Sequence, residues 1–217
     1  MAGRTLVLAP TQEPISVDEA NLFARVTTPT EDALMADLIT AARKRCEDYR
    51  GQSFATQTWD YFLDYFPRWR DGYTLDGAFT PIGAQFWTGF PDAFGKREMP
   101  IVLPRPPVQS VTWVKYTPYN QSPVTMDPAT YQVDTANVLA PRIVPTFDRM
   151  WPTDLLQSVN GVNVRFIAGY GTVVPEQISL AIKQLVAYWF YNRDAVGVVP
   201  ESVNQLLSEM TGGFTYA

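Results

Sequence analysis

Asp60 and Asp64, four residues apart, are the carboxylates in this sequence best spaced for acid–base chemistry. In an extended segment they share a face, where one can hold a proton while the other activates water, as in glycoside hydrolysis. The competing reading, a solvated strand face, is favoured. Other titratable groups have structural explanations of their own. Asp18 with Glu19, and Glu31 with Asp32, stand where helix first turns begin, and the macrodipole favours acids there. Cys46, the only cysteine, lies on an apolar helical stripe and reads as a small core residue rather than a nucleophile. The sequence contains no histidine, which removes Ser–His–Asp triads, Cys–His dyads and His-based zinc sites. No GxSxG elbow, Walker loop or GxGxxG follows any strand pattern. The expectation is a non-enzyme without cofactor or metal.

Contact chemistry has better candidates. Arg43, Lys44 and Arg45 form the densest basic spot, read as a solvated face near a helix C-terminus, with docking of an acidic neighbour as the alternative. The stretch 67–100 fits no regular element and holds Trp69, Phe86, Trp87, Phe90 and Phe94. If exposed, such a set of rings marks an interface, either between subunits or on the exterior.

The elements that must position these residues are helical at both ends and extended in the middle. Ser16 and Glu19 make a capping box, opening a helix that runs to about Val26. A second helix starts with Pro29 in the first helical position and ends at Gly51. Its buried stripe is Met35, Ile39, Ala42, Cys46 and Tyr49, widened by Leu34, Leu38 and Ala41. Alternation of Trp59, Tyr61, Leu63 and Tyr65 with Asp60, Phe62 and Asp64 predicts a strand within 56–66. Further strands are predicted over 101–103, 108–116, 131–134 and 163–168, with a turn at Gly169-Tyr170-Gly171. Helical spacing returns at Ile178, Ile182, Leu185 and Trp189, then at Val203, Leu206, Leu207 and Met210. The expected fold is α+β: N- and C-terminal helix pairs packed as a small helical bundle, with a central antiparallel β section carrying a long loop insertion. The expected divisions are 1–55, 56–172 and 173–217.

Hydrophobic residues at 46% against charged residues at 18% mark a folded chain. The net charge of −5 and the lack of any long basic run argue against direct nucleic-acid binding. One cysteine excludes an intrachain disulfide and suggests synthesis in a reducing compartment. The apolar run Leu6 to Ala9 is too short for a signal core, and Ile178 to Tyr191, interrupted by Lys183, is too short to cross a bilayer.

Several segments, in order, resemble one family. Pro14-Ile-Ser-Val-Asp-Glu-Ala and Asp32-Ala-Leu-Met-Ala-Asp-Leu-Ile-Thr-Ala-Ala-Arg are similar to the helical opening of head–tail connector (adaptor) proteins of tailed bacteriophages. Gln57-Thr-Trp, Leu103-Pro-Arg-Pro-Pro-Val-Gln-Ser-Val, Tyr131-Gln-Val-Asp, Val164-Arg-Phe-Ile-Ala-Gly-Tyr-Gly, Val174-Pro and Ala187-Tyr-Trp-Phe-Tyr-Asn-Arg-Asp continue the likeness. The resemblance implies a non-enzymatic virion protein of the neck, made in the host cytoplasm. Its subunits would form a homo-oligomeric ring, a dodecamer matching the portal's twelve-fold symmetry. That ring would sit below the portal protein, extend the DNA channel without binding DNA specifically, and dock the next neck or tail-completion protein. No membrane is involved. Portal contact is expected from Leu206, Leu207, Met210, Phe214 and Tyr216. The insertion at 67–100 departs from the family, which commonly makes a short connection there. The rival readings are another neck or tail-completion protein, and a glycan hydrolase using Asp60 and Asp64.

Overall fold

The computed structural model describes residues 2–67, 99–147, 149–171 and 173–209. The fold is α+β, with four α-helices and two antiparallel sheets among the described residues. It divides into two compact units, one of Met1–Leu8 with Gln57–Ala168 and one of Ala9–Thr56 with Gly169–Ala217.

The second unit is helical. Helix α1 (Val17–Ala24) begins with the anticipated capping box: the Glu19 N–H donates to Ser16 Oγ and the Ser16 N–H donates to Glu19 Oε2, both at 3.1 Å. Pro29 opens a short 3-10 turn (Pro29–Glu31), and α2 (Asp32–Arg50) starts only after it. Gly51, at φ 64°, ends α2 in the left-handed region, where a residue without Cβ carries no steric penalty. Helices α3 (Glu176–Tyr191) and α4 (Glu201–Glu209) complete the unit. Met35, Ile39, Ala42 and Cys46 pack in one core with Ile178, Ile182, Leu185, Trp189, Val203 and Leu207. The stripe is narrower than its spacing suggests, because Tyr49 is half exposed and Ala41 faces solvent. None of the helices among the described residues is long and apolar enough to cross a membrane.

Arg43 is a correction. Its helical position suggests a solvated face, yet it is 3% exposed. Arg43 Nε donates to Glu13 Oε2 at 2.6 Å and Nη1 donates to Glu47 Oε2 at 2.8 Å. Thr40 Oγ1 also donates to Glu13, at 3.0 Å. The other Glu47 oxygen accepts the backbone N–H groups of Phe54 and Ala55, at 2.8 and 3.3 Å. Burial lowers the guanidinium's proton affinity, but the hydrogen bond to Glu13 and the charge of Glu47 outweigh it and raise the pKa above its ordinary value. A segment preceding α1, α2 itself and the chain that follows α2 thus meet at one ionic node.

In the first unit, β1 (Gly3–Leu8), β2 (Gln57–Leu63), β4 (Val108–Tyr116), β5 (Val124–Thr125) and β8 (Val162–Ala168) form a sheet in the order β1-β2-β8-β4-β5. A second sheet has the order β3-β7-β6, from β3 (Ile101–Val102), β7 (Arg142–Pro145) and β6 (Tyr131–Asp134). Strands β1, β5 and β7 are absent from the sequence-based expectation. Central β8 alternates strictly: Val162, Val164, Phe166 and Ala168 are buried, whereas Asn163, Arg165 and Ile167 turn to the other face. Its inward residues share one core with Ile101, Ile143 and Tyr131 of the smaller sheet and with Trp151. Trp151 stacks on Phe66 with ring centroids 5.1 Å apart, and its indole N–H donates to the Met99 carbonyl at 2.9 Å.

Replacing Glu47 by Ala should destabilise the protein by about 3–5 kcal/mol, because it leaves a buried cation and two backbone donors short of an acceptor. Urea denaturation checks this. Replacement of exposed Lys44 by Ala should change stability by less than about 0.5 kcal/mol in the same assay.

Candidate interaction site

The face of the larger sheet turned away from its core collects the polar chemistry of the first unit. Antiparallel pairing places Asp60 of β2 opposite Arg165 of β8, and Arg165 opposite Trp113 of β4. Arg165 holds Asp60 by two hydrogen bonds, Nε to Oδ1 at 2.7 Å and Nη2 to Oδ2 at 2.8 Å. The hydrogen bond to Asp60 raises the Arg165 pKa against the smaller effect of desolvation. The guanidinium also lies 4.9 Å from the Trp113 ring centre, and Lys115 Nζ lies 4.3 Å from it. One indole therefore carries two cations, each attracted to the negative ring face.

In the next row, Phe62, Asn163 and Lys115 stand side by side across three strands. With Trp113, Gln157 and Asn160 they surround a concavity of about 350 Å³. Gln157 braces its rim, donating from Nε2 to the carbonyls of Val159 at 2.8 Å and Asn160 at 3.1 Å. Asn160 adopts φ 55°, and its N–H donates to Asp64 Oδ1 at 3.1 Å. Asn163, which also lines the concavity, has its Oδ1 buried without a hydrogen-bond partner among the described residues. A second, smaller concavity of about 240 Å³ lies among Tyr116, Met126, Asp127, Arg149 and Met150.

The geometry does not assemble the carboxylate pair that the spacing allows. Asp60 has both oxygens held by Arg165, while Asp64 lies beyond the end of β2 and accepts the Asn160 N–H. Among the described residues no group of three or more His, Cys, Asp or Glu side chains is placed to hold a metal ion.

No protein-family model and no curated protein sequence matches the chain. Solved structures do. One chain from the neck of an empty gene-transfer-agent particle, determined with C6 symmetry, matches with TM-score 0.66 and 20% identity, over 95% of this chain and 93% of that one. A chain from the virion of a native gene-transfer-agent particle gives TM-score 0.66 and 19% identity, over 94% and 93%. A chain from the neck of the native particle, with C12 symmetry, gives TM-score 0.53 and 18% identity over the same shares. The protein has the fold of these particle chains.

Of the residues singled out in the sequence, the basic trio separates. Arg43 belongs to the buried ionic node, whereas Lys44 and Arg45 are exposed. Leu207 is 1% exposed and holds α4 on the helical core, so its side chain is not a contact surface, while Leu206 is half-buried against that core. Met210, Phe214 and Tyr216, and Trp69, Phe86, Trp87, Phe90 and Phe94, lie outside the described residues. Sequence reasoning overlooked Trp113, Lys115, Asn163 and Arg165. Their signal was the alternation of β4 and β8, which puts an aromatic ring, an amide and two cations on the side opposite the apolar residues.

Cys46 is buried, as its place on the stripe implies. Burial, with Glu47 adding to it and Arg45 opposing, pushes the thiol from 9.0 up to about 12. Because the thiolate is the nucleophile, native protein at about pH 8 should leave a disulfide reagent such as dithionitrobenzoate unreacted, and urea should release one reactive thiol per chain. Since the folded value is the higher one, the stability gained by keeping the thiol neutral is complete below 9.0 and is lost as the pH rises towards about 12.

Proposed function

We propose that this chain is a structural head–tail connector subunit of a phage-like particle. It would form a homo-oligomeric ring below the portal protein, extend the DNA channel and dock the next neck or tail protein. The observation that carries this reading is the likeness in fold to chains of gene-transfer-agent necks, which spans 95% of the chain and so includes both the helical and the β unit. Structures of those necks were computed with C6 and with C12 symmetry, which supports a ring. A closed ring needs two different complementary faces on each subunit, and a chain built of two units with separate cores offers chemically distinct ones. The net charge of −5 supports a channel that lets DNA pass, since affinity for the duplex depends on neutralising phosphates. In this reading the subunit resides in the virion neck.

The residues from Met210 onward, with Phe214 and Tyr216, are proposed to contact the portal, and the aromatic stretch at 67–100 to serve neighbours or the exterior. Native mass spectrometry of the purified protein, alone and with its portal, should show a ring of about twelve copies when portal is present. A monomer that never associates with portal would overturn the reading. Removing the residues after Gly213 should leave a soluble fold while weakening portal attachment in a pull-down. Unchanged particle assembly by the truncated chain would reject the tail's role.

A further inference from the structure

The concavity on the outer face of the larger sheet has features that point to a ligand. Among the described residues Lys115 is the only charged one lining it, and no carboxylate does, in a chain that carries 22 acidic and 17 basic residues. The other cation on this face, Arg165, is occupied by Asp60 through two hydrogen bonds. Lys115 makes no ion pair with any described carboxylate; its ammonium is held over Trp113 and remains the charge open to a partner. Beside it, Asn163 Oδ1 is a buried acceptor without a hydrogen-bond partner among the described residues. Buried polar atoms almost always have a partner, ordered water included, so this one is an acceptor that water or a docked donor fills. Phe62 and Trp113 supply apolar wall, and the volume of about 350 Å³ lies at the small end of ligand sites, which run from about 300 to 1,000 Å³.

We infer that this concavity docks an acidic, partly apolar segment of a partner protein, with Lys115 Nζ taking a side-chain carboxylate and Asn163 Oδ1 accepting a peptide N–H. Charge complementarity selects the carboxylate. The state of Trp113 argues against the other ligands that aromatic concavities take. Sugars and nucleobases stack on an open aromatic face, whereas this ring already carries Lys115 at 4.3 Å and Arg165 at 4.9 Å. A single open lysine is also far short of the run of cations that holds a nucleic-acid backbone. A carboxylate, by contrast, approaches the ammonium from outside without displacing it from the ring. Nothing in this chemistry requires the chain to be a ring subunit, so it can fail while the connector reading stands.

The test uses the full chain labelled with 5-fluorotryptophan, the Trp113 signal being assigned by Trp113→Phe. The fluorine spectrum is followed during titration with the blocked tripeptides acetyl-Leu-Glu-Leu-amide, acetyl-Leu-Gln-Leu-amide and acetyl-Leu-Lys-Leu-amide, and with chitotriose. The expected result is a saturable shift of the Trp113 signal with the Glu peptide, at about ten-fold higher affinity than with the Gln peptide and with none for the Lys peptide. Lys115→Met should remove the response and Lys115→Arg should keep it, both with the other tryptophan signals in place. Equal responses to the three peptides, no response to any of them, saturation by chitotriose instead, or an unchanged response in Lys115→Met would overturn the assignment.

Discussion

The helical unit depends on an ion pair that most helices avoid. Arg43 and Glu47 are one helical turn apart on α2 and both are buried, where stripping charges of water costs several kcal/mol per ion. The arrangement holds because its strong donors and acceptors are matched. Arg43 reaches back to Glu13 before α1, and Glu47 reaches forward to the amides of Phe54 and Ala55 after α2. Tyr170 then donates its N–H to the Phe54 carbonyl at 3.2 Å, and Gly169 lies against Ala55 so closely that a Cβ would come within 2.3 Å of its carbonyl oxygen. The node therefore sets where the chain leaves α2 and where it returns towards α3. Hydrophobic packing of Met35, Ile39, Leu185 and their neighbours supplies the bulk of the stabilisation, but it is indifferent to small shifts along a helix. Directional bonds to Glu47 are not.

That node also explains why reading the sequence works in one place and fails in another. Ser16 and Glu19 encode their capping box locally, within one helical turn, and Gly51 encodes its left-handed stop in a single residue. The alternation of β8 and the four-three spacing of α3 are likewise properties of a short window. Arg43 gains its partner from Glu13, thirty positions away, and a stripe of periodic residues cannot announce that. Strand β1 is missed for the same reason. Gly3–Leu8 is exposed along its whole length and too short to show a pattern, and it becomes a strand only by pairing with β2, fifty or more positions away. Strand β5 has only two residues, and β7 becomes a strand by pairing with β3 and β6.

The candidate site was half legible. Asp60 stood out for its spacing with Asp64, but its partner Arg165 lies 105 positions away and turns a suspected catalytic acid into a clamp. Trp113 and Lys115 gain meaning only when β4 is laid beside β8 and their side chains share one face with Asn163. A face assembled from three strands with such wide separations is a property of the topology, and local windows do not contain it. The same topology gives a helical unit fixed by its own core and ionic node, and a sheet whose outer face collects polar side chains.

The central claim is that this fold serves in the neck of a phage-like particle, and the most direct measurement is a cryo-electron microscopy map of intact particles from cells that make this chain. The account predicts a ring of density adjoining the portal into which both the helical and the β unit fit, repeated around the channel. A map in which the density next to the portal accommodates neither unit, or particles that lack the chain altogether, would contradict it.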